Sequence, residues 1–126
     1  MKIQNRQKGN LGEDIASQYL QKNGWEIIER NFSTRWGEVD IIASKKEVLS
    51  FVEVKTKTSD NFGSPEQMIN RNKIYQINRM AELFLEKNKK LSNNFETFRI
   101  DVIAIVLEEN EVVSLNYYEN VGADFV

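Results

Sequence analysis

Asp40, Glu53 and Lys55 are the residues whose types and spacing could do chemistry: an aspartate, twelve residues, a glutamate, one residue, a lysine. Two carboxylates converging beside a lysine make a hard-cation site, in which Asp40 and Glu53 would hold Mg²⁺ or Mn²⁺ and water would fill the other positions. Such an ion lowers the pKa of a bound water and neutralises charge developing on a phosphate. The lysine positions or deprotonates the attacking water, or stabilises the pentavalent oxyanion. That is the chemistry of phosphodiester hydrolysis, and DNA is the expected substrate. The bland alternative is a cross-strand ion pair, Glu53 with Lys55 or a neighbour, on a half-exposed face. On spacing alone the two readings stand level.

These residues fall inside strand-like runs, where aspartate is disfavoured and a buried charge needs a partner. Trp36–Ala43 and Val48–Lys55 flank the polar segment Ser44-Lys45-Lys46-Glu47, a hairpin pattern. Side chains alternate across a strand, so Glu53 and Lys55 share a face with Leu49 and Phe51. If Ala43 pairs with Val48, Asp40 lies opposite Phe51 and projects from that same face. A one-residue slip would separate the cluster.

The rest of the chain supplies the scaffold. Leu11, Ile15, Ala16, Tyr19 and Leu20 keep helical spacing between Asn10, a good N-cap, and the stop signal Asn23-Gly24. A strand is expected over Trp25–Asn31 and a turn over Asn31–Arg35. Thr56–Pro65 reads as a loop carrying the chain's one proline. A second helix is expected from about Glu66 to Lys87, with Ile74, Ile77, Ala81, Phe84 and Asn88 on its apolar face, widened by Met80 and Leu85. Strands over Phe98–Leu107 and Val112–Tyr118 follow, joined by Glu108-Glu109-Asn110-Glu111. The order α, β, β, β, α, β, β predicts a mixed α/β domain with helices covering a central sheet, one domain across residues 1–126.

Composition narrows the chemistry. There is no cysteine and no histidine, which excludes thiolate metal sites, disulfide frameworks, histidine triads and histidine general bases. Any metal ligands would be oxygens, which suit Mg²⁺, Mn²⁺ or Ca²⁺ better than zinc. No apolar run approaches the roughly 20 residues of a membrane helix, and the basic N-terminus has no apolar stretch behind it. The cytoplasm is the expected compartment, with no membrane partner. Net charge is −2, but it is unevenly spread. Residues 101–126 carry six acids and no base, while residues 1–100 carry 17 bases against 13 acids. Basic groups gather at 1–8 and at 70–90, where they can meet phosphates locally or form ordinary solvated faces.

Further residues have two readings each. Glu13 follows Gly12, which would let another group approach the backbone. Asn10-Leu11-Gly12-Glu13 resembles a capping box, and on local pattern that reading of Glu13 is the stronger. Glu38 shares the Asp40 face and is either a further ligand or a solvated strand end. Lys73, Gln76 and Arg79 run along one flank of the second helix, either toward phosphates or as its polar face. Arg99-Ile100-Asp101 reads as a structural ion pair. Trp25, Phe32 and Trp36 are expected in the core rather than as base-stacking platforms.

Taken together, Gly12-Glu13-Asp14-Ile15-Ala16 with Tyr19-Leu20, Asn31 through Ala43, Phe51-Val52-Glu53-Val54-Lys55, Lys73 and Arg99-Ile100-Asp101-Val102 resemble the YraN-like family of small bacterial proteins. The resemblance runs in order over nearly the whole chain. That family looks like a relative of archaeal Holliday-junction resolvases in the restriction-endonuclease-like superfamily. The resemblance implies an αβββαβ core, metal ligation by Asp40 and Glu53, a catalytic role for Lys55 and a supporting acidic role for Glu13, reversing the preference for a mere cap. It implies DNA, branched DNA in particular, as partner, and a homodimer; from the basic residues themselves, Lys57, Arg71, Lys73 and Arg79 are the candidate phosphate contacts. Val39 stands where the superfamily motif has proline and Lys57 where many relatives have arginine; neither departure removes a ligand. Fold membership does not fix activity. A metal-dependent DNA endonuclease is the first expectation, and a non-catalytic nucleic-acid-binding or scaffold module on a nuclease-like fold is the alternative.

Overall fold

The computed structural model describes residues 5–58 and 69–122, with side chains from residue 10 onward. Helix α1 spans Asn5–Lys22, and β1 (Glu26–Thr34), β2 (Gly37–Lys45) and β3 (Val48–Thr58) follow as an antiparallel meander. Helix α2 (Arg71–Lys87) and the short α3 (Lys89–Ser92) lead to β4 (Thr97–Glu108), which pairs parallel to β3, and β5 (Glu111–Tyr118) closes the five-stranded sheet in the order β1-β2-β3-β4-β5. Two parallel neighbours need a crossover, and α2 supplies it. The expected mixed α/β order stands, with α3 added.

The sheet buries both faces. On one side Phe32, Ile42, Leu49 and Phe51 pack with Ile74, Ile77, Met80 and Phe84 of α2. The Phe84 ring stands edge-on to Phe32 at 5.3 Å and to Phe51 at 5.9 Å, the favoured aromatic geometry. On the other side Ala16 and Leu20 of α1 cover Trp25, Ile41, Ala43, Val52, Ile103 and Ile105. The 3-4 spacing of α2 therefore marks its buried face as expected. Asn88 lies off that face as the C-cap, its side-chain amide donating to the Phe84 carbonyl.

Several boundaries move for identifiable reasons. Helix α1 begins at Asn5, so Asn10 is not its N-cap and Glu13 lies in the helix interior rather than in a capping box. Helix α2 begins at Arg71, because Asn70 is extended and its side chain accepts the Lys73 amide; Glu66, the expected start, lies outside the described residues. Strand β3 continues to Thr58, three residues into the expected loop, and residues 59–65 of that loop lie outside the described residues. The expected turn over Asn31–Arg35 is mostly strand: β1 runs to Thr34, which pairs with Gly37 across a two-residue turn. Asn31 takes a left-handed φ of 56° without ending the strand. Gly37 has a φ of 151°, and the space a Cβ would occupy is filled by the Gln76 side chain of α2.

The tight turn also corrects the expectation for Trp36. It sits at the tip of the β1–β2 turn and is 46% exposed, while Trp25 and Phe32 are buried as expected.

Candidate metal centre

The β2–β3 hairpin turns on two residues, Lys46 and Glu47, with Lys46 at a φ of 53°. Lys45 therefore pairs with Val48, Ile42 with Phe51 and Ile41 with Val52, a two-residue offset from the expected register. Because the offset is even, it preserves which residues share a face. Continuing the ladder by one residue sets Asp40 across from Glu53. At that point the ladder gives way: the Val54 N–H donates to the Asp40 carboxylate at 2.8 Å instead of to a backbone carbonyl. The alternation of β2 also breaks there. Val39 belongs to the cluster under α2 and Ile41 to the cluster under α1, although they are two residues apart.

This break lets Asp40 meet acids from two other places. One carboxylate oxygen each from Glu13, Glu38 and Asp40 lie within 4.8 Å of one another, the only such group of three among the described residues. Glu13 comes from α1, which packs closely on β3. A Cβ on Gly12 would stand 2.0 Å from the Thr56 hydroxyl oxygen and 3.1 Å from its Cβ. Gly12→Ala is thus expected to push α1 off β3 and destabilise the protein by about 1–3 kcal/mol, with Thr56→Ala in the same chain recovering part of the loss; thermal midpoints of the single and double variants check this. Glu38 is exposed and accepts the Ser33 hydroxyl at 3.4 Å.

The electrostatics are those of an under-compensated acidic site. Asp40 is raised from its ordinary 3.8 to about 7, first by burial, then by the Glu53 charge, against the opposing Val54 amide, with Glu13 and Glu38 adding to the rise. Glu13 is raised too, chiefly by burial, despite a hydrogen bond from Asn31 and the Arg30 charge. Its Oε1 atom is buried with no hydrogen-bond partner, and Arg30 reaches only 3.8 Å from it while pairing with Asp14 at 2.8 Å. A buried carboxylate oxygen without a hydrogen-bond donor is costly, and the three acids that meet here could hold a metal ion.

Glu53 is placed differently. It is 5% exposed and stands between two ammonium groups, Lys55 at 3.5 Å and Lys73 at 3.4 Å. The expected cross-strand pair is not what forms: Glu53 is ion-paired within its own strand and to α2, and it lies close enough to Asp40 to raise the Asp40 pKa. Of the basic residues considered for phosphates, Arg71 and Arg79 are exposed, Lys73 is half-buried and Lys57 is only 7% exposed. Sequence spacing gave no sign that Lys73 reaches Glu53 across the sheet–helix interface; the 3-residue rhythm of Lys73, Gln76 and Arg79 was the one available signal.

The Arg99–Asp101 ion pair is present at 3.1 Å, and Asp101 is fully buried beneath it. It stabilises the sheet two strands from Asp40, with β3 between.

Comparison with known proteins gives a consistent family and distant structural similarity. Residues 12–105 match the family described as "Uncharacterised protein family UPF0102". A UPF0102 protein of Syntrophomonas wolfei subsp. wolfei is 41% identical over 107 residues, covering 85% of this chain and 90% of its own. A UPF0102 protein of Clostridium tetani is 44% identical over 106 residues, 84% of each chain. Among solved structures, Pyrococcus furiosus SfsA in complex with Ca²⁺ is similar with a TM-score of 0.40 and 15% identity, over 93% of this chain and 64% of the SfsA chain.

Proposed function

Because the chain belongs to the uncharacterised protein family UPF0102, the YraN-like family its motifs resemble, and that name assigns no activity, we propose a function from the site itself: a divalent-metal-dependent DNA endonuclease that hydrolyses phosphodiester bonds, with branched DNA as the favoured substrate. One observation carries it. Three carboxylates converge where β2 and β3 part, and one of their oxygens is buried without a hydrogen-bond partner. The donors are all hard oxygens, which fits Mg²⁺ or Mn²⁺. Asp40, Glu38 and Glu13 would hold the ion, with Glu53 alongside. A divalent ion there supplies a Lewis acid for attack on a phosphate.

The chain's own groups do the rest. Lys55 and Lys73 share Glu53, so the three side chains leave one net positive charge beside the acids. That charge would stabilise negative charge on a phosphate oxygen. Arg71 and Arg79, exposed on α2, hold the flanking backbone by charge alone, which makes binding steeply salt-dependent. Among the described residues no helix is long and apolar enough to cross a membrane.

The test is a calorimetric Mn²⁺ titration together with incubation of branched, flapped and linear DNAs with Mg²⁺ or Mn²⁺. The wild-type protein is expected to bind Mn²⁺ and to cut branched DNA, Asp40→Ala to do neither, and Glu13→Gln to bind Mn²⁺ about 10–100-fold more weakly. No cleavage by wild type, or equal cleavage by Asp40→Ala, defeats the reading. A second reading, a non-catalytic nucleic-acid-binding module, draws on the tight enclosure of Glu53 between two lysines. It expects DNA binding that survives Glu53→Ala, without metal-dependent turnover.

A further inference from the structure

Trp36 and Tyr75 are large aromatic side chains left open to solvent, 46% and 68% exposed. Single exposed aromatics need no explanation; these two are joined through arginines. The Arg79 guanidinium lies 4.8 Å from the Trp36 ring centre and the Arg35 guanidinium 4.7 Å. Tyr75 stands one helical turn from Arg71 on one side and from Arg79 on the other, and all three are exposed on α2. The surface thus runs Arg71, Tyr75, Arg79, Trp36, Arg35, cation and aromatic in alternation.

The stripe is fixed, not incidental. The Gln76 side-chain amide donates to the Trp36 carbonyl at 2.9 Å, and Gly37 leaves room for it. Gln76 accepts in turn from Lys73 at 3.3 Å, and Lys73 pairs with Glu53. A line of polar contacts therefore runs from the Trp36 backbone carbonyl through Gln76 and Lys73 to Glu53, and Trp36 is only two residues from Glu38.

We propose that this stripe is a stacking platform for unpaired DNA bases, which draws a single-stranded segment across α2 toward the acids. The occupant follows from the chemistry. Every base has a π-face that stacks on Trp or Tyr without regard to sequence, and arginines beside the rings take the phosphates. A base arriving on Trp36 replaces a guanidinium on the ring, and the freed arginine lies beside the backbone. A duplex keeps its bases stacked on one another and gains only the charge contacts. The proposal rests on the reading of the acidic site as a DNA site and names the part of the DNA that is recognised: an unpaired arm or flap.

Anisotropy of a labelled oligo(dT), measured in EDTA so that no cutting intervenes, tests it. Trp36→Ala and Tyr75→Ala are each expected to weaken oligo(dT) binding about tenfold and to leave binding of a duplex of the same length nearly unchanged. Trp36→Phe keeps a stacking face and should retain most of the affinity. In the unmutated protein, oligo(dT) should quench tryptophan emission, since Trp36 is open to it and Trp25 is buried. The platform is overturned if wild type has no affinity for oligo(dT), if the alanine variants bind it as wild type does, or if they lose duplex binding equally. The two readings separate cleanly: oligo(dT) binding with no Mn²⁺-dependent cleavage keeps the platform and removes the nuclease, and cleavage with unchanged binding by Trp36→Ala does the reverse.

Discussion

Asp40→Asn is expected to abolish Mn²⁺ binding and, in metal-free buffer at pH 8, to make the protein more stable than the wild type. Both outcomes come from one environment. Burial, and next the Glu53 charge, raise the Asp40 carboxyl from 3.8 to about 7. Between about pH 4 and 7 the folded protein keeps a proton that the unfolded chain has released, so stability falls as pH rises through that window and levels off above it. A rise of this size corresponds to at most ~4 kcal/mol; with solvent reaching the half-buried side chain, about 1–2 kcal/mol is the working figure. Asparagine removes the charge and still offers an oxygen to the Val54 amide, so the penalty at pH 8 disappears and the hydrogen bond stays. Its neutral amide is a poor ligand among competing carboxylates. In the wild type, a cation requires the deprotonated carboxylate, so Mn²⁺ affinity should climb as pH passes about 7. Thermal midpoints from pH 5 to 8, with and without Mn²⁺, check all of this. A variant that melts earlier than wild type at pH 8, or that keeps the wild-type pH slope, would show that Asp40 carries no such load.

What the sequence made legible was the pattern of faces, and what it hid was local geometry. The 3-4 spacing of Ile74, Ile77, Met80 and Phe84 marked the buried face of α2 because burial is periodic. Face parity came out right for the paired residues 41–45 and 48–52 although the register was off by two, because only odd shifts exchange faces; Asp40 lies beyond that ladder. Asp40 stood out because a charge flanked by Val39, Ile41 and Ile42 has to be satisfied by something. The grouping of its neighbours was only partly legible. Alternation did put Glu38 on the Asp40 face and the resemblance pointed to Glu13, but that these two and not Glu53 join Asp40 in one group follows from the break between Val39 and Ile41, and no spacing rule encodes a broken pleat. In the local pattern Glu13 was masked by a mimic, since Asn10-Leu11-Gly12-Glu13 has the form of a capping box although the helix begins at Asn5, and only the family resemblance pointed to it as an acid of the site. Trp36 was misplaced because large aromatics are usually interior; a two-residue turn put it at a tip instead.

Asp101→Ala is expected to be the most destabilising single substitution considered, about 3–5 kcal/mol. The carboxylate has no solvent exposure and four donor groups converge on it. The Ser50 hydroxyl of β3 donates at 2.6 Å, the Tyr117 hydroxyl of β5 at 2.5 Å, the Arg99 Nε of β4 at 3.1 Å and the backbone N–H of Asn120 at 2.8 Å. One side chain thus ties three adjacent strands and the segment after β5. Removing it strands a guanidinium that is half-buried over the Trp25 ring, along with three neutral donors. The network also holds the Tyr117 phenol well above its ordinary pKa, first by burial and then by the adjacent Asp101 carboxylate. Asp101→Asn keeps the side-chain volume and one acceptor oxygen, and the two hydroxyls can turn to meet its amide; it loses mainly the attraction for Arg99 and should give up roughly half as much. Tyr117→Phe removes one donor and should lose about 1 kcal/mol. The expected order is therefore Ala worst, Asn intermediate and the Tyr117 variant mildest, read as denaturant midpoints at pH 7. Asp101 lies two strands from Asp40, so the Asn variant should still bind Mn²⁺ with wild-type stoichiometry wherever it is folded. An Asn variant that folds normally but cannot bind the ion would mean that this network shapes the acidic site and does more than hold the sheet.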